Sequence, residues 1–249
     1  IDLEQLSAAI TGRTSLVSVM AVNNEIGTIQ DLEAIGEICH KKSVVFHTDA
    51  AQGVGKIPLD VDRMNIDVMS ISGHKMYGPK GIGALYVRKD TPIIPLFDGG
   101  GQEHGLRSGT LSPALCVGLG KACEIAVLEM EKDDKHIGAL ATRFLNKINA
   151  GLNHVKLNGD IEHRYRGNLN LTFEGVKSDL LVADLKDIAV STGSACSSAS
   201  TKSSYVLKEL GISQKDISAS IRIGFGRMTR VEEIDHATNH IIKVVQNLN

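Results

Sequence analysis

Lys75 follows His74 in Ser72-Gly73-His74-Lys75, directly after the apolar run at 66–71 and before Gly78-Pro79-Lys80-Gly81. A lysine so placed can form a Schiff base with a carbonyl once it has lost its proton, which burial and neighbouring cations promote. Taken alone, such a lysine is commonly a surface cation. Asp49 closes another short apolar run, in His47-Thr48-Asp49-Ala50-Ala51-Gln52. By itself it reads equally as a helix N-cap. A carboxylate and a lysine that each end one of two consecutive predicted strands form a more specific pattern. It is the pair that pyridoxal phosphate (PLP) needs, because a carboxylate on the pyridinium nitrogen keeps the ring an electron sink. The Ser72 hydroxyl and His74 imidazole could hold a phosphate beside the lysine.

Cys196 lies in Ser191-Thr192-Gly193-Ser194-Ala195-Cys196-Ser197-Ser198-Ala199-Ser200, a run of small, mostly polar residues that packs no core. Loops of this kind commonly carry function, and a thiol on one can travel to a substrate and then to an acceptor. Cys39, Cys116 and Cys123 sit instead in apolar helical patterns, where cysteine behaves as a small inert hydrophobe. No C-x-x-C pair and no metal-like spacing with histidine occurs, so no resident metal site and no disulfide framework is expected. Arg222, flanked by Ile221 and Ile223, must find an anion if it is to be tolerated inside. A structural carboxylate would serve, and so would a substrate carboxylate gripped by the guanidinium fork. His47 reads as structural, holding strand geometry.

The elements that must position these groups alternate along the chain. A short helix over 2–10 precedes an apolar, β-branched run at 14–22, as a buried parallel strand should be. Helical spacing follows over 31–42, then strands at 44–49, 66–72 and 82–87. This alternation predicts an α/β fold with a mainly parallel sheet, whose ligands sit beyond the carboxyl ends of the strands. Asn24, Asp49 and His74-Lys75 all lie just past such ends. From 112 to 149 the pattern is helical, and the charged run at 129–135 reads as a solvated face or a joint between two helices. A domain change is placed near residue 120, giving a large domain over 1–120 and a smaller α+β domain over 121–249. The latter carries strands at 169–173 and 221–225 and helices near 178–187, 203–211 and 231–248.

The segments Asn23-Asn24-Glu25-Ile26-Gly27, His47-Thr48-Asp49-Ala50-Ala51-Gln52, Ser72 through Gly81, Arg107-Ser108-Gly109-Thr110 and Ser194-Ala195-Cys196 resemble cysteine desulfurases of the iron–sulfur-cluster assembly type. These are PLP enzymes of the class V aminotransferase-like group, and the likeness spans essentially the whole chain with its motifs in family order. It implies the PLP-transferase (aspartate aminotransferase-like) fold, and conversion of L-cysteine to L-alanine with a persulfide on Cys196. Sulfur would pass to iron–sulfur cluster assembly or to tRNA thiolation. By the same resemblance, Lys75 carries the cofactor, Asp49 pairs with the ring nitrogen, and Asn24 and Gln52 lie near the ring hydroxyl. Ser72 and His74 hold the phosphate, Thr110 reaches the phosphate of the partner subunit in a homodimer, and Arg222 with Asn24 takes the substrate carboxylate. Cys196 alone is a candidate ligand for a nascent cluster. Family members carry a further N-terminal segment with another phosphate contact and a histidine over the ring, and a longer C-terminal tail that docks the scaffold protein. Other readings of the same scaffold are a selenocysteine lyase, an aminotransferase, whose transamination needs no mobile thiol, or a non-catalytic interaction module.

Bulk properties exclude other classes. A net charge of −2 offers no basic field for nucleic acid or an anionic membrane. No apolar run is long enough to span a bilayer. Glycine, at 25 of 249 residues, clusters at Gly99-Gly100-Gly101 and around Lys75, where backbone must turn tightly or approach a ligand. A reducing compartment, bacterial cytoplasm or a mitochondrial-type matrix, suits the free thiols. The opening Ile1-Asp2-Leu3 reads as neither a signal peptide nor a start.

Overall fold

A computed structural model describes residues 1–192 and 204–248, so Cys196 lies outside the described residues. The chain forms two compact units, Ile1–Ala21 with Gln30–Met130, and Val22–Ile29 with Glu131–Asn249.

The first unit is built on helix α1 (Leu3–Ala9), strand β1 (Leu16–Met20), helix α2 (Leu32–Lys41) and strands β2 (Val45–Asp49), β3 (Val68–Ser72) and β4 (Gly83–Val87). Each helix starts where a side chain can cap it: Asp2 accepts from the Gln5 amide and Asp31 from the Ala34 amide, satisfying donors that the helix leaves open. The sheet order is β1-β2-β3-β4. The first three strands run parallel and β4 returns antiparallel to β3. Alternate strand positions are buried, and Phe46 of β2, Ile35 of α2 and Ile66 before β3 are among the fully buried side chains. Gly36 in α2 is required by proximity, since a Cβ there would lie 1.9 Å from the Met64 carbonyl oxygen.

Helix α3 (Pro113–Gly151) is continuous over 39 residues. The charged run at 129–135 is therefore no joint, and it is not wholly solvated either. Asp133 is buried, its carboxylate gripped by Arg227 through Nε at 2.8 Å and Nη2 at 2.5 Å. A one-residue count of charges cannot show which of seven consecutive positions faces inward. Residue 120 lies within α3, in the first unit.

The second unit holds the antiparallel sheet β5-β6-β7, formed by Val155–Leu157, Asn168–Phe173 and Ser220–Gly224. Around it are α4 (Ser178–Asp184), α5 (Tyr205–Glu209), α6 (Gln214–Ile217) and α7 (Val231–Leu248). Leu169, Leu171 and Phe173 point to one side of β6 and are buried. On its other side Asn170 and Thr172 join a buried polar network. Asn158 Nδ2 donates to Asn170 Oδ1 at 2.7 Å and to Thr172 Oγ1 at 2.9 Å, and the Thr172 and Ser220 hydroxyls lie 2.8 Å apart. Strand β5 and helix α6, of three and four residues, were not legible in the sequence. Among the described residues no helix is long and apolar enough to cross a membrane, and no group of histidine, cysteine and acidic side chains is arranged to hold a metal.

Candidate active site

In the first unit, Asp49 is the last residue of β2, paired with Met20 at the end of β1 and with Ser70 in β3. Its Oδ1 accepts the Ala51 amide at 2.8 Å, a tight turn that fixes the carboxylate at the carboxyl edge of the sheet. Ala50 is fully buried beneath that turn. The edge continues on β3, which ends at Ser72 and passes into a short 3-10 helix, Gly73–Met76. A Cβ at Gly73 would sit 3.0 Å from the Ile82 carbonyl oxygen and 3.1 Å from that of Pro79, a tight fit that glycine relieves. The turn closes with Tyr77 in the left-handed region, φ 65°, and the Gly78 amide donating to Gly73. It presents His74 and Lys75 as exposed side chains while Met76 anchors it inside. Ser72 Oγ and His74 Nδ1 lie 3.2 Å apart, a hydroxyl and an imidazole already paired.

Gln52 follows Asp49 by one turn, and its Oε1 accepts from Lys56 Nζ at 2.6 Å. Burial, and then the Lys75 cation nearby, push the Lys56 amine down to about 8. Lys56 was missed in the sequence, because it lies in a turn that no periodicity marks. His47 is held structurally, with its Nδ1 2.7 Å from Ser18 Oγ on the neighbouring strand. Thr110 is exposed, at the end of a loop in which Ser108 Oγ donates to the Phe97 and Asp98 carbonyls and the Gly109 amide donates to Gln102 Oε1. Cys39 is fully buried, and burial followed by Asp67 raises its thiol, which keeps it protonated and inert.

Asn24 and Arg222 belong to the second unit, where they are joined directly. Arg222 Nη1 donates to the Asn24 carbonyl at 2.8 Å, and Asn168 Nδ2 donates to the same oxygen at 3.1 Å. Arg222 also exchanges backbone hydrogen bonds with Ser191. The loop bearing Asn24 is braced by two further groups that sequence did not single out. Buried Arg164 donates through Nη2 to the carbonyls of Ile26 at 2.8 Å and Asn168 at 2.9 Å. Glu25, 2% exposed, accepts the Ser204 hydroxyl at 2.6 Å, and that hydroxyl also caps α5. Neither bears on an apolar periodicity, so only the fold reveals them.

The first unit thus gathers a carboxylate, an amine and a hydroxyl–imidazole pair at the ends of two adjacent parallel strands. That set can meet a heterocyclic cation, a carbonyl and a phosphate on one ligand. A family model described as aminotransferase class-V matches residues 1–236. The chain belongs to the class-V aminotransferase family. Its relatives include the proteins named cysteine desulfurase IscS of Rickettsia rickettsii (strain Iowa) and Rickettsia prowazekii (strain Madrid E). Each is 57% identical over all of this chain and 61% of the relative. The chain therefore spans about three fifths of the length of these curated relatives. Among solved structures, a NifS-like protein superposes with a TM-score of 0.91 at 34% identity, over all of this chain and 66% of that one. The NifS-like protein from Rickettsia africae ESF-5 gives 0.89 at 29% identity, over 99% of this chain and 67% of that one. The family resemblance and the α/β fold read from the sequence are both borne out.

Proposed function

We propose that the protein is a PLP-dependent cysteine desulfurase that converts L-cysteine to L-alanine and leaves the sulfur on Cys196. The observation that carries the reading is that Asp49 and the Lys75 turn end adjacent parallel strands, with Ser72 and His74 paired between them. The donor set fits the cofactor: carboxylate for ring nitrogen, amine for aldehyde carbon, hydroxyl and imidazole for phosphate. Relatives with the desulfurase name, at 57% identity, support the choice of reaction.

When bound, PLP supplies an electron sink for negative charge at the substrate Cα. The chain's own groups do the rest. Asp49 would pair with the protonated ring nitrogen, and Gln52 and Asn24 are the residues assigned to the ring oxygen. Ser72 and His74 hold the phosphate, joined by Thr110 from a second copy of the chain. The Lys75 amine would anchor the cofactor and, when free, would carry the proton from the substrate Cα. Arg222 turns its guanidinium to the substrate carboxylate, its Nη1 already ordered on the Asn24 carbonyl. The Cys196 thiolate attacks the substrate sulfur: an S–S bond forms as Cβ–S breaks, the electron pair stays on carbon, and protonation there gives alanine. The persulfide then passes to an iron–sulfur scaffold protein or another acceptor. A homodimer in a reducing cytoplasm suits both the shared phosphate site and the free thiol.

Alanine and sulfide released from L-cysteine in the presence of a reductant test the reaction. The Cys196→Ser variant is expected to lose at least about a hundredfold in turnover while keeping the cofactor's visible absorbance. Turnover equal to the parent's, or transfer of the amine to a keto acid in place of sulfur release, overturns the assignment.

A further inference from the structure

Lys56 has no part in the chemistry above, yet its ammonium is aimed at one of the residues that does. The 2.6 Å contact between Lys56 Nζ and Gln52 Oε1 is short, as a charge-assisted bond is. An ammonium can only donate, so of the two ends of the Gln52 amide it can engage only the oxygen. The amide carries its Nε2 hydrogens on the far side of the same planar group. With Oε1 committed, Gln52 faces any ligand as a donor. Without the ammonium, the amide could flip and offer its oxygen instead.

We propose that Lys56 is a positioning residue that fixes the Gln52 amide so that Nε2 donates to the cofactor's ring oxygen and selects that oxygen in its anionic form. The inference rests on the PLP assignment and deepens it: a glutamine of fixed orientation discriminates between an anionic oxygen, which accepts, and a neutral hydroxyl, which needs an acceptor. Its surroundings agree with it. Lys56 is only partly exposed, so the ammonium is confined rather than sampling solvent. Burial, and then the charge of Lys75, lower its basicity.

The test is titration of the full chain, freed of cofactor, with PLP. The dissociation constant and the position of the visible band are read, and thermal melting is followed in parallel. Lys56→Met is expected to weaken PLP binding about tenfold and to move the band, the cost of one oriented hydrogen bond. Lys56→Arg, which keeps a donor-only cation, is expected to restore both. Gln52→Glu keeps an acceptor for Lys56 but has no donor for the ring oxygen, and is expected to weaken PLP as Lys56→Met does while melting like the parent. If Lys56→Met lowers the melting temperature but leaves affinity and band unchanged, Lys56 is merely structural and the proposal falls. It falls equally if Gln52→Glu binds PLP as the parent does, which keeps the test decisive should Lys56→Met not fold. A parent chain that takes up no PLP overturns the cofactor reading itself, a result distinct from a parent that binds and variants that match it.

Discussion

Of two amines, Lys56 after β2 and Lys75 after β3, only one was legible in the sequence. Lys75 stood out because it follows a strand and shares a motif with His74. Lys56 lay in a glycine-rich turn whose shape no periodicity reveals, and its value depends on what surrounds it. Its titration gives a prediction on stability. An amine held down to about 8 when folded, against an ordinary 10.5, binds fewer protons folded than unfolded between those values. Stability from this group therefore rises with pH through that window, and below it the buried charge is a penalty. Comparing urea unfolding of the parent and Lys56→Met from pH 7.5 to 10.5, the parent should gain on the variant by up to about 3 kcal/mol, less whatever solvent reaches the amine. A difference that is flat with pH contradicts it. Asp133 carries a second prediction. Its pairing with Arg227 leaves the two side chains only 10% and 17% exposed. Asp133→Ala takes this carboxylate away from a partly buried guanidinium and is expected to cost about 2 kcal/mol in chemical unfolding, where an exposed pair such as Lys135–Glu131 would cost well under 1.

At the scale of elements, apolar patterning carried most of the reading. The strands ending at Met20, Asp49 and Ser72 were found because each is a short, mostly apolar, β-branched run bounded by turn residues. The antiparallel return of β4 was not, because strand direction leaves no mark on composition. The junction expected at 129–135 failed for a different reason: a long helix that is buried on one side at Asp133 and open at Glu131 looks polar throughout. Gly36 provides a test in which packing opposes propensity. Alanine is the better helix former by about 1 kcal/mol, yet a Cβ at position 36 would strike the Met64 carbonyl oxygen. Gly36→Ala is expected to destabilise by at least about 2 kcal/mol in thermal unfolding, as overpacking against backbone does. A stabilised variant would mean that α2 packs elsewhere.

Across the whole molecule, Asp49, Gln52, Ser72, His74, Lys75 and Thr110 lie in the first unit, and Asn24 and Arg222 in the second. The motifs were legible because each couples a chemical group to a turn. What joins Arg222 to Asn24 was not, since the contact is to a backbone carbonyl and any residue could supply one. The stretch before α3 exposes Ile94, Leu96 and Phe97 at 81%, 89% and 65%, a patch of the kind that copies of a chain bury against each other. A homodimer is the expected state by light scattering, and Leu96→Asp with Phe97→Asp should shift it to monomer; a parent already monomeric at micromolar concentration contradicts the shared phosphate site. The account turns, finally, on where the cofactor is carried. Borohydride reduction of the PLP-loaded protein followed by peptide mass mapping should find the phosphopyridoxyl group on Lys75 and nowhere else. Its appearance on Lys56 or another lysine, or its absence from every peptide, would contradict the account.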